Sequence, residues 1–446
     1  MEFLDKYVLP QSAHHMILLK YLMALALLIF IPYISLLIGS LTFSLIFKNK
    51  SAKNNNAAHY KFSKFLIDLT TFNKVSALGL GLAPLLSISF GVAQLLHLSD
   101  VPAAGYILLS SIFYIAAIIF IYTFKYSFHL RDILGAVTEN ENIKEEIKEE
   151  SSFYLSSANK LLRKSGFFGL ALLLVSVYLF VGALNLTTRP ELWDSGNYFI
   201  NLIFSLQTVV GFLQIILFAF GFTAAFIIYR SYSSEAIKSD EKYFDFIKNF
   251  GLKTGLIISI ILPLFIILSI LVKSSQALSY NLFAYTLLAL FVVMFISVLF
   301  YLMIRDAQLR YASSLVYLFV LAVFFVVMQE YSSLDTATKK QFAFLAANYD
   351  EYKSALEEEY GLKKVVINGA DIYNGKCIAC HQFDKKLVGP PYNETLPKYE
   401  GKREELVKFI LNPVKINPDY PAMPNQGLKP AEAEAVVDYL LSTYKK

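Results

Sequence analysis

Eight long apolar stretches separated by polar connections set the pattern of this chain: residues 16–47, 75–98, 102–124, 166–186, 199–229, 254–272, 279–304 and 312–329. Each is close to or above the roughly 20 residues a helix needs to cross hydrocarbon. A backbone inside lipid has no water to bond, so these stretches predict helices that satisfy their own amide groups. Lys20 is the only formally charged residue within them, near enough to one end for its stem to carry the ammonium to the interface. The bundle interior is therefore expected to be almost free of charge. The first stretch is too long for the apolar part of a secretion signal and has no small-residue cleavage site behind it. It is expected to be a retained span with a mature N-terminus.

Composition agrees, at 56% apolar and 17% charged residues, against roughly 45–50% and 25% for an ordinary soluble domain. That excludes a wholly soluble enzyme, a disordered chain and a nucleic-acid-binding tail. The net charge of +5 matters only through its placement. Connections one, three, five and seven hold twenty Lys and Arg residues, whereas the N-terminal segment and the even connections hold Lys6, Arg189 and Lys273. By the positive-inside rule the odd connections are cytoplasmic, and both termini lie outside. Connection three, 130–165, has Glu and Lys spacing suited to i, i+4 pairs and reads as a solvated helix or an extension of its flanking spans.

After Gln329 the composition turns polar, and residues 330–362 read as a helical stalk. Residues 363–446 form a third region, too short to build a stable core easily without a staple. The chain's two cysteines, Cys377 and Cys380, lie there, with His381 directly after them. Cys-x-x-Cys-His is the attachment run of a c-type haem, in which both thiols bond the vinyl groups and the histidine can ligate the iron. A redox-active pair would want a thioredoxin-like βαβ context, and a zinc site would want a second Cys or His pair; neither is seen.

Beyond that run, residues 363–446 resemble class I cytochromes c. Residues 366–375 resemble the family's N-terminal helix, with Gly369 and Tyr373 at helix-contact positions. Gly389-Pro390-Pro391 resembles the stretch whose proline carbonyl receives the proximal imidazole N–H. Tyr420-Pro421-Ala422-Met423-Pro424 resembles the segment carrying the distal methionine, and residues 430–444 resemble the C-terminal helix. The resemblance implies one covalent haem c on Cys377 and Cys380, with His381 and Met423 as axial iron ligands. Such a pair favours a raised potential and leaves no open position, which suits electron transfer. Bacterial c haem is attached outside the cytoplasmic membrane, in agreement with the charge bias. The expected location is therefore a bacterial inner membrane, with the cytochrome region outside.

One span would tether a cytochrome, so the others need a reason. His14 and His15 begin the first span and His97 ends the second, and this outer set could hold a haem b; His59 with His129 is an inner alternative. An early histidine, Pro32, and the series Gly79, Gly81, Pro84, Gly91 make the first 130 or so residues resemble subunit I of cytochrome bd quinol oxidases. No acidic residue lies within any span, so the proton delivery that oxygen reduction requires is not visible. Asn185, Gln207 and Gln214 read as helix-packing groups. An upright stalk of 30 residues would rise about 45 Å, too far for direct transfer from an embedded quinol, unless it folds back over the outer span ends.

The expected architecture is all-α, an eight-span bundle followed by a small helical cytochrome. The expected function is single-electron transfer in a respiratory chain, from a quinol or partner subunit to an extracytoplasmic redox protein. The partners would be subunits of a respiratory complex and membrane lipid, with no nucleic acid. The alternatives are a subunit of a quinol-oxidising or bd-like terminal oxidase, and a redox-sensing transporter or sensor.

Overall fold

The computed structural model describes residues 10–71, 73–360 and 367–444. Lys6, the join near 362 and Val366 lie outside the described residues. The chain divides into two units, residues 1–352 and 353–446. Among the described residues, all regular structure is helical.

In the first unit α1 (Ala13–Asn54) is followed by the shorter α2 (Ala57–Thr70), then α3 (Lys74–Leu95), α4 (Ala103–Glu139), α5 (Glu145–Thr187), a short α6 (Tyr198–Phe204), α7 (Leu206–Ser233), α8 (Glu241–Leu271), α9 (Tyr280–Arg305), α10 (Ala312–Ala337) and α11 (Lys339–Glu359). Eight of these, α1, α3 to α5 and α7 to α10, are long and apolar enough to cross a membrane. The protein is a multi-pass membrane protein. Starts are marked by polar caps: Ser12 accepts from the His15 amide at 3.2 Å, Asp240 from Tyr243 at 3.2 Å and Ser279 from Leu282 at 3.2 Å.

Because lipid gives no hydrophobic drive between helices, small polar groups join them. Ser110 and Ser176 exchange hydroxyl-to-carbonyl bonds of 2.8 and 2.9 Å between α4 and α5. Ser44 and Ser63 do the same at 2.7 Å each, which seats the amphipathic α2 on α1. Gln207 donates to Asn185 at 3.1 Å, so both act as packing groups.

Three expectations change. The fifth span does not run unbroken from 199. Ser205 is extended, with ψ 128°, and its hydroxyl accepts from Arg189 at 3.1 Å, so a short α6 precedes α7. Connection three keeps one of its two expected forms, extensions of α4 and α5 with a turn between them. Lys20 does not snorkel: it is 4% exposed and bonds Asp335 at 2.7 Å. The last span also continues past 329 to Ala337, carrying Glu330 and Asp335 on α10. Lys273 binds both Glu330 oxygens, at 2.8 and 2.9 Å, so this end of the bundle carries paired charge.

The polar stretch after the spans is not a free stalk from residue 330. On α11, Leu345 is 3% exposed and Phe342 packs on the bundle core. Gln341 donates to the His97 carbonyl at 2.7 Å, and Lys20 stands 4.8 Å from the Phe342 ring centroid. The start of α11 is folded back onto the span ends.

The second unit is built on three helices, α12 (Gly369–Ile372), α13 (Arg403–Leu411) and α14 (Pro430–Thr443). The first starts at Gly369, not 366, because Asn368 caps it by accepting from the Ala370 amide at 3.0 Å. It then widens into a π turn over Tyr373–Cys377. Gly369 lies against α14 so closely that a Cβ there would sit 2.0 Å from the Ala435 carbonyl oxygen. Tyr373 and Tyr439 continue the contact at 5.6 Å. Pro430 starts α14, and Glu432 accepts from the Lys429 amide at 2.8 Å. Val436, Val437 and Leu440 turn inward onto Leu406 and Ile410 of α13.

Candidate functional site

The π turn ends on Cys377, and one further turn of chain returns Cys380 and His381 to it. Their amides donate to the Cys377 carbonyl at 3.1 and 2.9 Å. Residues 382–392 then fold back beneath this turn: the Gly389 amide donates to Cys380 at 2.9 Å and the Tyr392 amide to Gln382 at 3.0 Å. That return brings the Pro390 carbonyl to 3.0 Å from His381 Nδ1. A carbonyl only accepts, so Nδ1 carries the proton and Nε2 keeps its lone pair.

Two neighbours fix the ring. Gly389 passes so near that a Cβ would lie 2.2 Å from His381 Cε1. Tyr392 stacks on the imidazole at 5.0 Å and 13°. Burial pushes the Cys377 thiol up from its ordinary value, partly offset by the neighbouring Tyr392 hydroxyl, and burial likewise raises Tyr392. Sequence reasoning missed Tyr392. The available signal was an aromatic residue directly after the Gly-Pro-Pro run.

Met423 lies on the helix-free stretch between α13 and α14. Asn425 pins this stretch by donating to the Leu411 carbonyl at 3.0 Å, and its Oδ1 accepts from the Gly427 amide at 2.8 Å. Cys377, Cys380, His381, Pro390, Tyr392 and Met423 all line one cavity of about 370 Å³. Leu396, Leu406, Ile410 and Leu440 supply apolar wall. A largely apolar cavity with a few converging polar groups is what a flat, hydrophobic cofactor requires. Two thiols, a free imidazole nitrogen and a thioether on its wall fit a covalently held haem.

The histidines of the first unit are placed differently. His14 and His15 are exposed on the first turn of α1, and His97 is half-buried just after α3, its carbonyl engaged by Gln341. His59 packs among rings, 5.5 Å from Phe47 and 5.3 Å from Phe246, and His129 is exposed on α4. Among the described residues no three His, Cys, Asp or Glu side chains converge on a metal position.

The three-helix fold and this donor set define a small c-type cytochrome. The family profile for Cytochrome c matches residues 366–444. The chain is 33% identical over 79 residues to "Cytochrome c-551" of Pseudomonas denitrificans, covering 95% of that protein and 17% of this chain. It is 31% identical over 71 residues to "Cytochrome c-552" of Nitrosomonas europaea, covering 68% of that protein and 15% of this chain. No solved structure gives a significant match. The chain belongs to the cytochrome c family through its C-terminal region, and membership implies electron transfer with covalent haem c. The likeness of the first 130 residues to cytochrome bd subunit I finds no support, since the family match is confined to residues 366–444.

Proposed function

We propose that this protein is a membrane-bound electron carrier of a respiratory chain, holding one haem c on Cys377 and Cys380 with His381 and Met423 as the axial ligands. The carrying observation is that both thiols, the lone-pair nitrogen side of His381 and the Met423 side chain share one cavity. Bound there, the haem supplies a reversible one-electron iron couple. The chain's own residues do the rest. The Pro390 carbonyl accepts a hydrogen bond from His381 Nδ1–H and so raises the electron donation of the other ring nitrogen. Gly389 and Tyr392 hold the ring's orientation, and the apolar wall excludes water. With His381 and Met423 both holding the iron, the bound group would serve electron transfer and not oxygen chemistry.

The twenty-to-three bias of Lys and Arg between connections supports an extracytoplasmic cytochrome in a bacterial inner membrane. Its donor would be a quinol or a partner subunit, and its acceptor an extracytoplasmic redox protein. Any second haem, of b type, would draw on His14, His15 and His97.

The test is haem content and topology. The purified chain should give one c-type haem per polypeptide in a pyridine haemochrome spectrum, and Cys377→Ser with Cys380→Ser should abolish haem staining on a denaturing gel. Reporter fusions after Lys50, Asn142 and Lys238 should be active only in the cytoplasm, and one after Ser333 only outside. Staining that survives the double change would refute the attachment site, and an outside signal at Asn142 would refute the topology.

A further inference from the structure

Away from the cytochrome region, the membrane bundle carries an unassigned cavity of about 410 Å³ where α1 and α5 meet. Its polar rim is Lys48, Asn49, Arg163 and Lys164, and its apolar floor is Leu45 with Phe167 and Phe168. The two helices touch here: a Cβ on Gly166 would lie 2.6 Å from Leu45 Cδ2. Lys48 follows the apolar run of the first span directly, and Arg163 and Lys164 directly precede that of the fourth. The three cations therefore converge at the depth where hydrocarbon gives way to headgroups.

Among the described residues no carboxylate is paired with any of the three. Asp132, on the neighbouring α4, is already taken by Lys64 at 2.5 Å and by the Tyr60 hydroxyl at 2.6 Å. Like charges gathered without a counter-ion repel, so the cluster calls for an anion from outside the chain. Directly beside it, Phe167 is 66% exposed and Phe168 is 49% exposed, in a position to lie along acyl chains. A site that is cationic at its rim and aromatic below matches an anionic headgroup joined to a lipid tail.

We propose that Lys48, Arg163 and Lys164 form a binding site for an anionic phospholipid, its phosphodiester on the cations and its acyl chain along Phe167 and Phe168. A basic pocket between spans holds such headgroups by charge, and Arg adds bidentate bonds to phosphate oxygens. The same chemistry would bind free phosphate, but only a lipid uses the apolar floor.

The test uses the full-length, haem-loaded protein purified in detergent and exposed to phosphatidylglycerol or phosphatidylcholine, with bound lipid counted by native mass spectrometry. Phosphatidylglycerol should be retained at least tenfold over phosphatidylcholine. The combined Lys48→Gln, Arg163→Gln and Lys164→Gln change should bring it down to the phosphatidylcholine level, whereas Lys238→Gln with Lys242→Gln should not. Should the triple change fail to insert, Arg163→Glu alone should lower retention at least fivefold. Phe167→Ala with Phe168→Ala should also lower it. Equal retention of the two lipids, an unaffected charge variant, or complete displacement by millimolar inorganic phosphate would each overturn the proposal, the last by assigning the site to a free anion.

Discussion

His381 Nδ1 stands 3.0 Å from the Pro390 carbonyl, and the residue before that proline, Gly389, touches the same imidazole edge. The two contacts come from one short return of chain, so the loop that receives the ring proton also sets how near the backbone can approach. The proton-bearing nitrogen and the ring position are thereby fixed together.

Gly389→Ala separates them. A Cβ placed 2.2 Å from His381 Cε1 must move the ring or the loop, because neither is the free end of a flexible side chain. Overpacking of this kind costs about 1–3 kcal/mol. The variant should still carry stained haem, since the thiols are untouched, but its denaturant midpoint should fall, and its reduction potential should rise as the Pro390 bond to His381 weakens. An unchanged midpoint and potential would show that the loop yields freely.

Met423→Ala tests the other side of the cavity. Removal of the thioether should lower the reduction potential. It should also let the ferric protein bind added imidazole at least tenfold more tightly than wild type, as followed by absorbance titration. Equal affinity in the two proteins would exclude Met423 as the distal ligand.

Much of this architecture could be read along the chain because lipid imposes a strong local rule. Each span must be continuously apolar, and the eight runs stand out without knowledge of any contact. The attachment run is equally local, with three reactive residues in five positions. What could not be read depends on partners distant in sequence. Lys20 reads as a snorkelling residue until Asp335, 315 positions away, is placed beside it. Ser205 interrupts the helix inside an apolar run, where Arg189, 16 positions earlier, reaches its hydroxyl. Tyr392 is marked in the sequence only as an aromatic residue after the Gly-Pro-Pro run, and its stacking on His381 emerges once the loop returns it to the ring. Met423 was legible only through the order of segments in a family, since nothing local distinguishes a ligand from a core methionine.

The pair joining α13 and α14 sets an acid dependence. Arg403 donates through Nε and Nη2 to Asp438 at 2.6 and 2.9 Å, and these bonds hold the Asp438 carboxyl below its ordinary value. A folded-state value below the unfolded one means the unfolded state binds more protons as pH falls. The contribution is therefore complete above the ordinary aspartate range and is lost as pH drops through the depressed value. Arg403→Gln should begin to unfold at higher pH than wild type in an acid titration followed by far-ultraviolet circular dichroism. The two curves should converge once Asp438 is protonated in both. Identical curves would mean that solvent screening cancels the pair.

The Lys20 and Asp335 pair should show an asymmetry that follows from its burial. Lys20 is 4% exposed on the side-chain scale while Asp335 is 57% exposed, so the two partners face different solvents. Asp335→Asn leaves the buried ammonium, among the described residues, facing the Phe342 ring 4.8 Å from Nζ and an uncharged amide in place of the carboxylate. Breaking a wholly buried pair costs about 3–5 kcal/mol, and exposure of the carboxylate reduces this to an expected 1–3 kcal/mol, on an order-of-magnitude scale. Lys20→Met instead leaves a carboxylate that water can reach and adds apolar bulk, so it should cost less than about 1 kcal/mol. Thermal unfolding of the detergent-solubilised protein should rank wild type and Lys20→Met close together, with Asp335→Asn clearly below. Lys20→Met combined with Asp335→Asn should recover most of the loss, because the stranded charge is gone. Equal destabilisation by the two single changes, or no recovery in the double, would mean that the pair acts through the fold of α11 and not through the buried charge.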